Sequence, residues 1–396
     1  MQGLFVTLFM LCLASYSSCK RPVKAIPKKI TFSVMDYGAV GDGVTDDSKA
    51  FLKAWGEACD RTGILQVPPK KMFMLNPLKF SGPCKFSSIH FKLKGNVIAP
   101  NSIEAWREYN DKTKWIQIVN VNGLIINGGG QIDGRGSPWW KDCYVDSCPR
   151  PKALLINNCN NLHLSGTHHV NSPKSQISIN QCKNATLSYL TIIAPGNSPN
   201  TDGIDIAQSS FIYIHHSTIS TGDDCIALND GTSNINITYI NCGPGHGISI
   251  GSLGRNGAYD TVEQVYVSYC SFNGTTNGVR IKTWQGGSGY VRNVKFEHIT
   301  LTNTYNPIII NQEYRNIASK ENLNQESGVE IIGVIYKDVK GTSASEVAIN
   351  LNCRSSKGCS DIIMEEINIA PSNTMAICNY ARGKASFVSP KVPCLV

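Results

Sequence analysis

The chain has 396 residues, a formal charge of +8, 35 glycines and 15 cysteines. That length holds a large core, and a repetitive β architecture can use nearly all of it as one unit. The positive excess favours a polyanionic partner. No long Lys/Arg run interleaved with aromatics is present, which makes nucleic acid a weaker choice than an anionic membrane surface or an acidic polysaccharide.

Leu4 to Ala14 is an apolar run of signal-peptide length, followed by Ser15-Tyr16-Ser17-Ser18-Cys19. It is too short to span a membrane, and no second stretch suggests a transmembrane helix. Residues 1–19 therefore read as a secretory leader, 20–30 as a basic, solvated segment, and 31–396 as a single domain with no membrane-spanning stretch. Three glycosylation sequons, at Asn184, Asn236 and Asn273, are compatible with secretion.

Thr31-Phe32-Ser33-Val34 reads as a strand, and Gly38 to Gly43 as a turn-rich loop. Asp46-Asp47-Ser48 supplies N-cap chemistry for a helix running to about Cys59, with Phe51, Ala54, Trp55 and Ala58 on one face. An amphipathic helix ahead of a long β array is an end cap, because an open solenoid end exposes strand edges.

The remainder is a series of short alternating strands such as Leu162-His163-Leu164, Ile212-Tyr213-Ile214, Ile235-Asn236-Ile237 and Val265-Tyr266-Val267. Most recur every ~23 to 30 residues, the spacing of coils in a solenoid. A second, more apolar strand follows in each unit, and Ile204, Ile226, Ile248 and Val279 fall at equivalent positions in it. Stacked coils would align these side chains as an inward ladder. No helices intervene to make βαβ units. An antiparallel sandwich does not explain the recurrence, so the pattern predicts an all-β, right-handed parallel β-helix.

The cysteines fit an oxidising compartment. Short separations favour Cys143 with Cys148, Cys225 with Cys242, Cys353 with Cys359 and Cys378 with Cys394, with Cys59 and Cys84 closing the N-terminal region. Cys159, Cys182 and Cys270 lie in or beside apolar strands and read as small buried hydrophobes. No CxxC pair or Cys/His cluster has zinc spacing.

Four polar motifs stand one coil apart: Asn200-Thr201-Asp202-Gly203, Thr221-Gly222-Asp223-Asp224, Gly245-His246-Gly247 and Arg280-Ile281-Lys282. Adjacent rungs of a parallel sheet lie about 4.8 Å apart, so coil register brings Asp202, the Asp pair, His246 and the two cations into one groove. Arg280 and Lys282 flank Ile281 and point to the same side. Asp223 and Asp224 are adjacent and share a face only if the chain bends near Gly222. Glycoside hydrolysis needs one protonated carboxyl and one ionised one, and crowding three carboxylates drives their pKa values apart. Arg280 and Lys282 suit the carboxylate of an acidic sugar. Each motif alone is commonly a turn, a solvated strand or a structural histidine, and acidic ladders on β-solenoids can also bind calcium. Their order and register together are what carry the inference.

The chain resembles the plant-type polygalacturonases, a family of glycoside hydrolases. The resemblance rests on Tyr37-Gly38-Ala39-Val40-Gly41-Asp42-Gly43, Ser198 to Asp205, Gly222-Asp223-Asp224-Cys225, Cys242 to Gly254, and Gly278-Val279-Arg280-Ile281-Lys282-Thr283. It implies a right-handed parallel β-helix and metal-free hydrolysis with inversion of the α-1,4 links of polygalacturonate. By matching positions it implies Asp223 as general acid, Asp202 and Asp224 as activators of water, His246 as support for the acid, and Arg280, Lys282 and Tyr314 as ligands of a galacturonate unit. Arg315 stands where the family has a cysteine, so a disulfide common in plant relatives is expected to be missing. The resulting expectation is a secreted, monomeric, cell-wall enzyme, with endo action favoured slightly over exo. The alternatives are an exo-acting enzyme, a non-catalytic pectin-binding wall protein and a calcium-dependent lyase.

Overall fold

A computed structural model describes residues 30–61, 63–143, 148–314, 328–354 and 358–396. Its strands pair in parallel, each with its counterpart one coil later, as the sequence period requires. The chain winds as a right-handed parallel β-helix built from a 20-stranded sheet and an 11-stranded sheet. In the smaller sheet Ile177, Ile204, Ile226, Ile248, Val279, Ile308 and Ile349 stand in continuous register. All of them are buried. The expected ladder is therefore real, and each rung gains roughly 2 kcal/mol from burying one such side chain.

Single residues in the left-handed region turn the chain between strands. At one corner these are Tyr189, His216, Tyr239, Tyr269 and His298, with φ of 49–55°. That conformation costs an L-residue about 1–2 kcal/mol. Stacking offsets it, since the successive ring centroids are 5.3, 4.7, 5.1 and 4.5 Å apart and each such pair is worth about 0.5–1.5 kcal/mol.

The capping helix spans Ser48–Asp60 and buries Phe51, Ala54, Trp55 and Ala58. Its start differs in detail from the simplest N-cap reading. Asp47 holds the N-cap position without a side-chain cap bond; its carboxylate instead accepts from the amides of Val40 and Gly41. Asp46 binds the Ser48 amide at 3.0 Å. The glycine-rich loop, with its unpaired amides, competes for Asp47 and wins.

The five expected disulfides are formed, and Cys159, Cys182 and Cys270 are free and buried. Burial pushes the Cys182 and Cys270 thiols up to about 12. No helix among the described residues is long and apolar enough to cross a membrane. The leader, the basic segment to Lys29 and Arg315 lie outside the described residues.

Candidate active site

Asp202, Asp224 and His246 each precede by two residues the strands that begin at Ile204, Ile226 and Ile248, and those isoleucines are paired in register. The same offset on successive rungs brings them together. Backbone bonds fix the offset: the Gly203 amide donates to Asp224 O at 2.9 Å, and the His246 amide donates to Asp223 O at 2.8 Å.

The bend needed to turn both Asp223 and Asp224 toward the groove is present. It is centred on Gly222, where a Cβ would lie 2.0 Å from the Ser198 carbonyl oxygen. Only glycine permits this approach. The Gly222 amide donates to Thr201 Oγ1 at 3.0 Å, tying the bend to the motif one coil earlier.

Asp223 and Asp224 have different surroundings. Asp223 is partly exposed and meets His246 Nδ1 at 3.0 Å through Oδ1. Asp224 is buried; Arg280 Nη2 lies 2.6 Å from Oδ1, Lys282 Nζ 2.9 Å from Oδ2, and Ser249 Oγ donates to Oδ1 at 2.7 Å. Burial opposes ionisation of Asp224, but Arg280 and Lys282 outweigh it and hold the carboxyl at about 2. Asp202 is the opposite case. It keeps some exposed surface but lies deep among neighbouring atoms, and burial together with Asp205, Asp223 and Asp224 pushes it well above the ordinary range. One carboxyl is thus locked ionised beside another that resists ionisation, the separation acid–base chemistry needs.

Arg280 and Lys282 do point to one side, as alternation requires, and both remain firmly protonated: burial works against their charge, and Asp224 more than restores it. Tyr314 completes this wall, its ring centroid 5.4 Å from Lys282 Nζ and 5.3 Å from that of Trp284, edge to face. All seven residues expected at the site therefore gather along the smaller sheet, Arg280, Lys282 and Tyr314 on its strands and Asp202, Asp223, Asp224 and His246 in the turns that lead into them.

Ligand atoms of Asp223, Asp224 and His246 lie within 4.8 Å of one another, close enough to share a metal ion. The donor set does not fit one. Both Asp224 oxygens are already bonded to cations, and a divalent ion there would sit against Arg280 and Lys282.

Three contributors were not singled out as site residues from the sequence. Ser249 bridges Asp224 and Arg280, receiving a bond from Arg280 Nε at 2.9 Å; strand alternation from Ile248 would have found it. Asn200 donates from Nδ2 toward Asp223 Oδ2 at 3.4 Å. Buried Arg150 holds Asn200 in place, donating to Asn200 Oδ1, to the Pro199 carbonyl, and to the Pro173 carbonyl at 3.3 Å. Arg150 lies 50 residues before Asn200, and no local pattern marks it.

A carboxylate cluster abutting two buried cations, on a parallel β-helix, narrows the comparison with known proteins. The model of the Glycosyl hydrolases family 28 matches residues 59–387. The chain belongs to this family and is a glycoside hydrolase. It is 46% identical over 372 residues to a probable polygalacturonase of Arabidopsis thaliana (At3g15720), covering 91% of this chain and 80% of that one. It is 40% identical over 379 residues to a polygalacturonase of Prunus persica, covering 94% and 95%. Among solved structures it is similar to an endo-xylogalacturonan hydrolase from Aspergillus tubingensis, with a TM-score of 0.78, 26% identity, and coverage of 92% and 98%. It also shares its fold with a polygalacturonase from Erwinia carotovora, with a TM-score of 0.73, 23% identity, and coverage of 93% and 99%.

Proposed function

We propose that this family 28 member hydrolyses α-1,4-galacturonosyl links of polygalacturonate by direct attack of water, with inversion and by internal cleavage. The observation that carries the reading is Asp224, buried and bonded to Arg280, Lys282 and Ser249, beside the Asp223–His246 pair.

In this scheme the substrate carboxylate docks on Arg280 and Lys282 beneath Tyr314. It draws both cations partly away from Asp224, which becomes a better proton acceptor. Asp224 and Asp202 hold the attacking water, whose oxygen bonds to the anomeric carbon as the glycosidic C–O bond breaks. The water's proton passes to the ionised Asp224 carboxylate, and Asp223 gives its proton to the leaving oxygen. His246 positions the Asp223 carboxyl through the Nδ1 contact. No metal takes part, so a chelator leaves the rate unchanged, whereas a calcium-dependent lyase would lose activity. The remaining elements of the proposal are removal of residues 1–19, secretion to the cell wall, and action as a monomer of one catalytic domain.

The test is chromatography of early products from polygalacturonate, with the configuration of the new reducing end read by NMR. Mixed oligomers with β-configured ends are expected. Monomer alone would make the action exo, α ends would overturn inversion, and no product would leave a binding protein. Asp223→Asn should abolish turnover while keeping the fold; near-normal turnover would remove Asp223 from its role.

A further inference from the structure

A second corner of the larger sheet breaks its own pattern. Asn161, Asn184, Phe211, Asn234, Gln264 and Asn293 occupy this corner on six successive rungs. All six are left-handed, with φ of 55–61°. Asparagine tolerates that conformation because its short amide bonds locally, whereas a bulky phenylalanine there is unusual. Amides also pair along the row: Asn184 Nδ2 donates to Asn161 Oδ1 at 2.7 Å. Phe211 interrupts the row and is 52% exposed. At the tyrosine and histidine corner, neighbouring rings offset the same backbone cost. The rung neighbours of Phe211 are Asn184 and Asn234, and neither offers a ring.

Phe211 lines an open cavity of about 510 Å³ together with Asn160, Asn161, Lys183 and Asn184. Lys183 is exposed, and its Nζ lies 5.4 Å from the Phe211 ring centroid. The cavity thus combines one aromatic ring with amides and an ammonium that can bind hydroxyl groups. That chemistry suits a single pyranose unit, which has an apolar ring face and a polar rim. Asn184 itself opens the sequon Asn184-Ala185-Thr186 and is exposed. It stands one rung from Phe211, about 4.8 Å at the spacing of a parallel sheet.

We propose that Asn184 carries an N-linked glycan whose first sugar lies on Phe211. The inference rests on the secretion proposed above, which gives the chain access to an oligosaccharide carried on a lipid pyrophosphate. Transfer breaks one Nδ2–H bond and the anomeric C–O bond of the donor. It forms the C–N bond at Asn184 and releases the lipid pyrophosphate and a proton. The second Nδ2 hydrogen keeps the bond to Asn161, so the glycan is attached to an amide already held in position. The sugar supplies the neighbour that Phe211 lacks in its own row.

The test maps glycans by mass spectrometry on the full chain expressed in a eukaryotic host. It then compares melting temperatures of wild type, Thr186→Ala, Phe211→Ala and the double variant. Thr186→Ala removes the sequon and leaves Asn184 in place. Asn184 should be occupied. The loss on Thr186→Ala should be about 2 °C larger with Phe211 present than in the Phe211→Ala background. Trimming the glycan to its first sugar should preserve the wild-type value. Equal losses in the two backgrounds overturn the proposal, and so does a glycan at Asn236 or Asn273 with Asn184 bare; both outcomes leave secretion standing. A chain that stays in the cell with none of the three sequons occupied refutes secretion and the proposal together.

Discussion

Asp202→Asn and Asp224→Asn are near-isosteric changes on neighbouring rungs, and they should move stability in opposite directions. The Asp224 carboxyl sits at about 2 in the folded protein against an ordinary 3.8. The stability from that depression is present above the unfolded value and is lost as pH falls through the folded one; it amounts to roughly 2 kcal/mol. Replacement by Asn also strands Arg280 and Lys282, whose side chains are only 13% and 9% exposed. Breaking a buried ion pair from one side costs about 3–5 kcal/mol, so that range is expected at pH 7, narrowing toward pH 2 where wild-type Asp224 takes up its proton.

Asp202 has the reverse sign. Its folded pKa is raised, by burial first and then by Asp205, Asp223 and Asp224. Between the ordinary value and the raised one the folded state binds more protons than the unfolded chain, so wild-type stability falls as pH rises. Asp202→Asn removes that decline and stabilises the protein at neutral pH. Urea midpoints of both variants and wild type across pH 3–8 test the pair without reference to activity. An Asp224→Asn protein within about 1 kcal/mol of wild type at pH 7, or a destabilised Asp202→Asn, would refute the electrostatic reasoning.

Arg150→Met should lower kcat on polygalacturonate by roughly ten- to a hundredfold with little change in KM, because it releases Asn200 from Asp223 rather than touching the substrate carboxylate site. A variant with a lower melting temperature but wild-type kcat would reduce Arg150 to a structural role. Replacing both Cys225 and Cys242 opens a loop of sequence separation 17 and should cost about 3 kcal/mol, read from the unfolding midpoint. Because Cys225 follows Asp224, activity should fall even where the protein remains folded. A thiol reagent should leave Cys159, Cys182 and Cys270 unlabelled in native protein and label all three in denaturant; rapid native labelling would contradict their burial.

Much of the fold was legible because its signal is periodic. Ile204, Ile226, Ile248 and Val279 repeat at coil spacing, and one inward position per rung is what a parallel ladder needs. The cations were legible for the same reason, since alternation alone puts Arg280 and Lys282 on one side. Alternation could not say whether Asp223 and Asp224 share a face, because that depends on how closely Gly222 approaches the Ser198 carbonyl in another coil. Arg150 was invisible for a related reason: its partners Pro173, Pro199 and Asn200 are non-local turn residues with no spacing rule. The aromatic corner had no signal either. An exposed tyrosine on an alternating strand looks ordinary until its neighbours one coil away prove to be rings.

The inward ladder has a weakness that its regularity creates. An isoleucine stacked on an isoleucine is equally content one coil higher, so apolar packing alone permits the winding to slip by a whole turn. Asp224, Ser249 and Arg280 stand on three consecutive rungs and are bonded across them. A slip of one coil would move Arg280 to the position of Ser249 or of Ile309 in its row and leave the buried Asp224 charge without that partner. The cluster proposed to cut the substrate thus also works as a bolt through the coils, and an enzyme stripped of it would lose its count of turns as well as its chemistry.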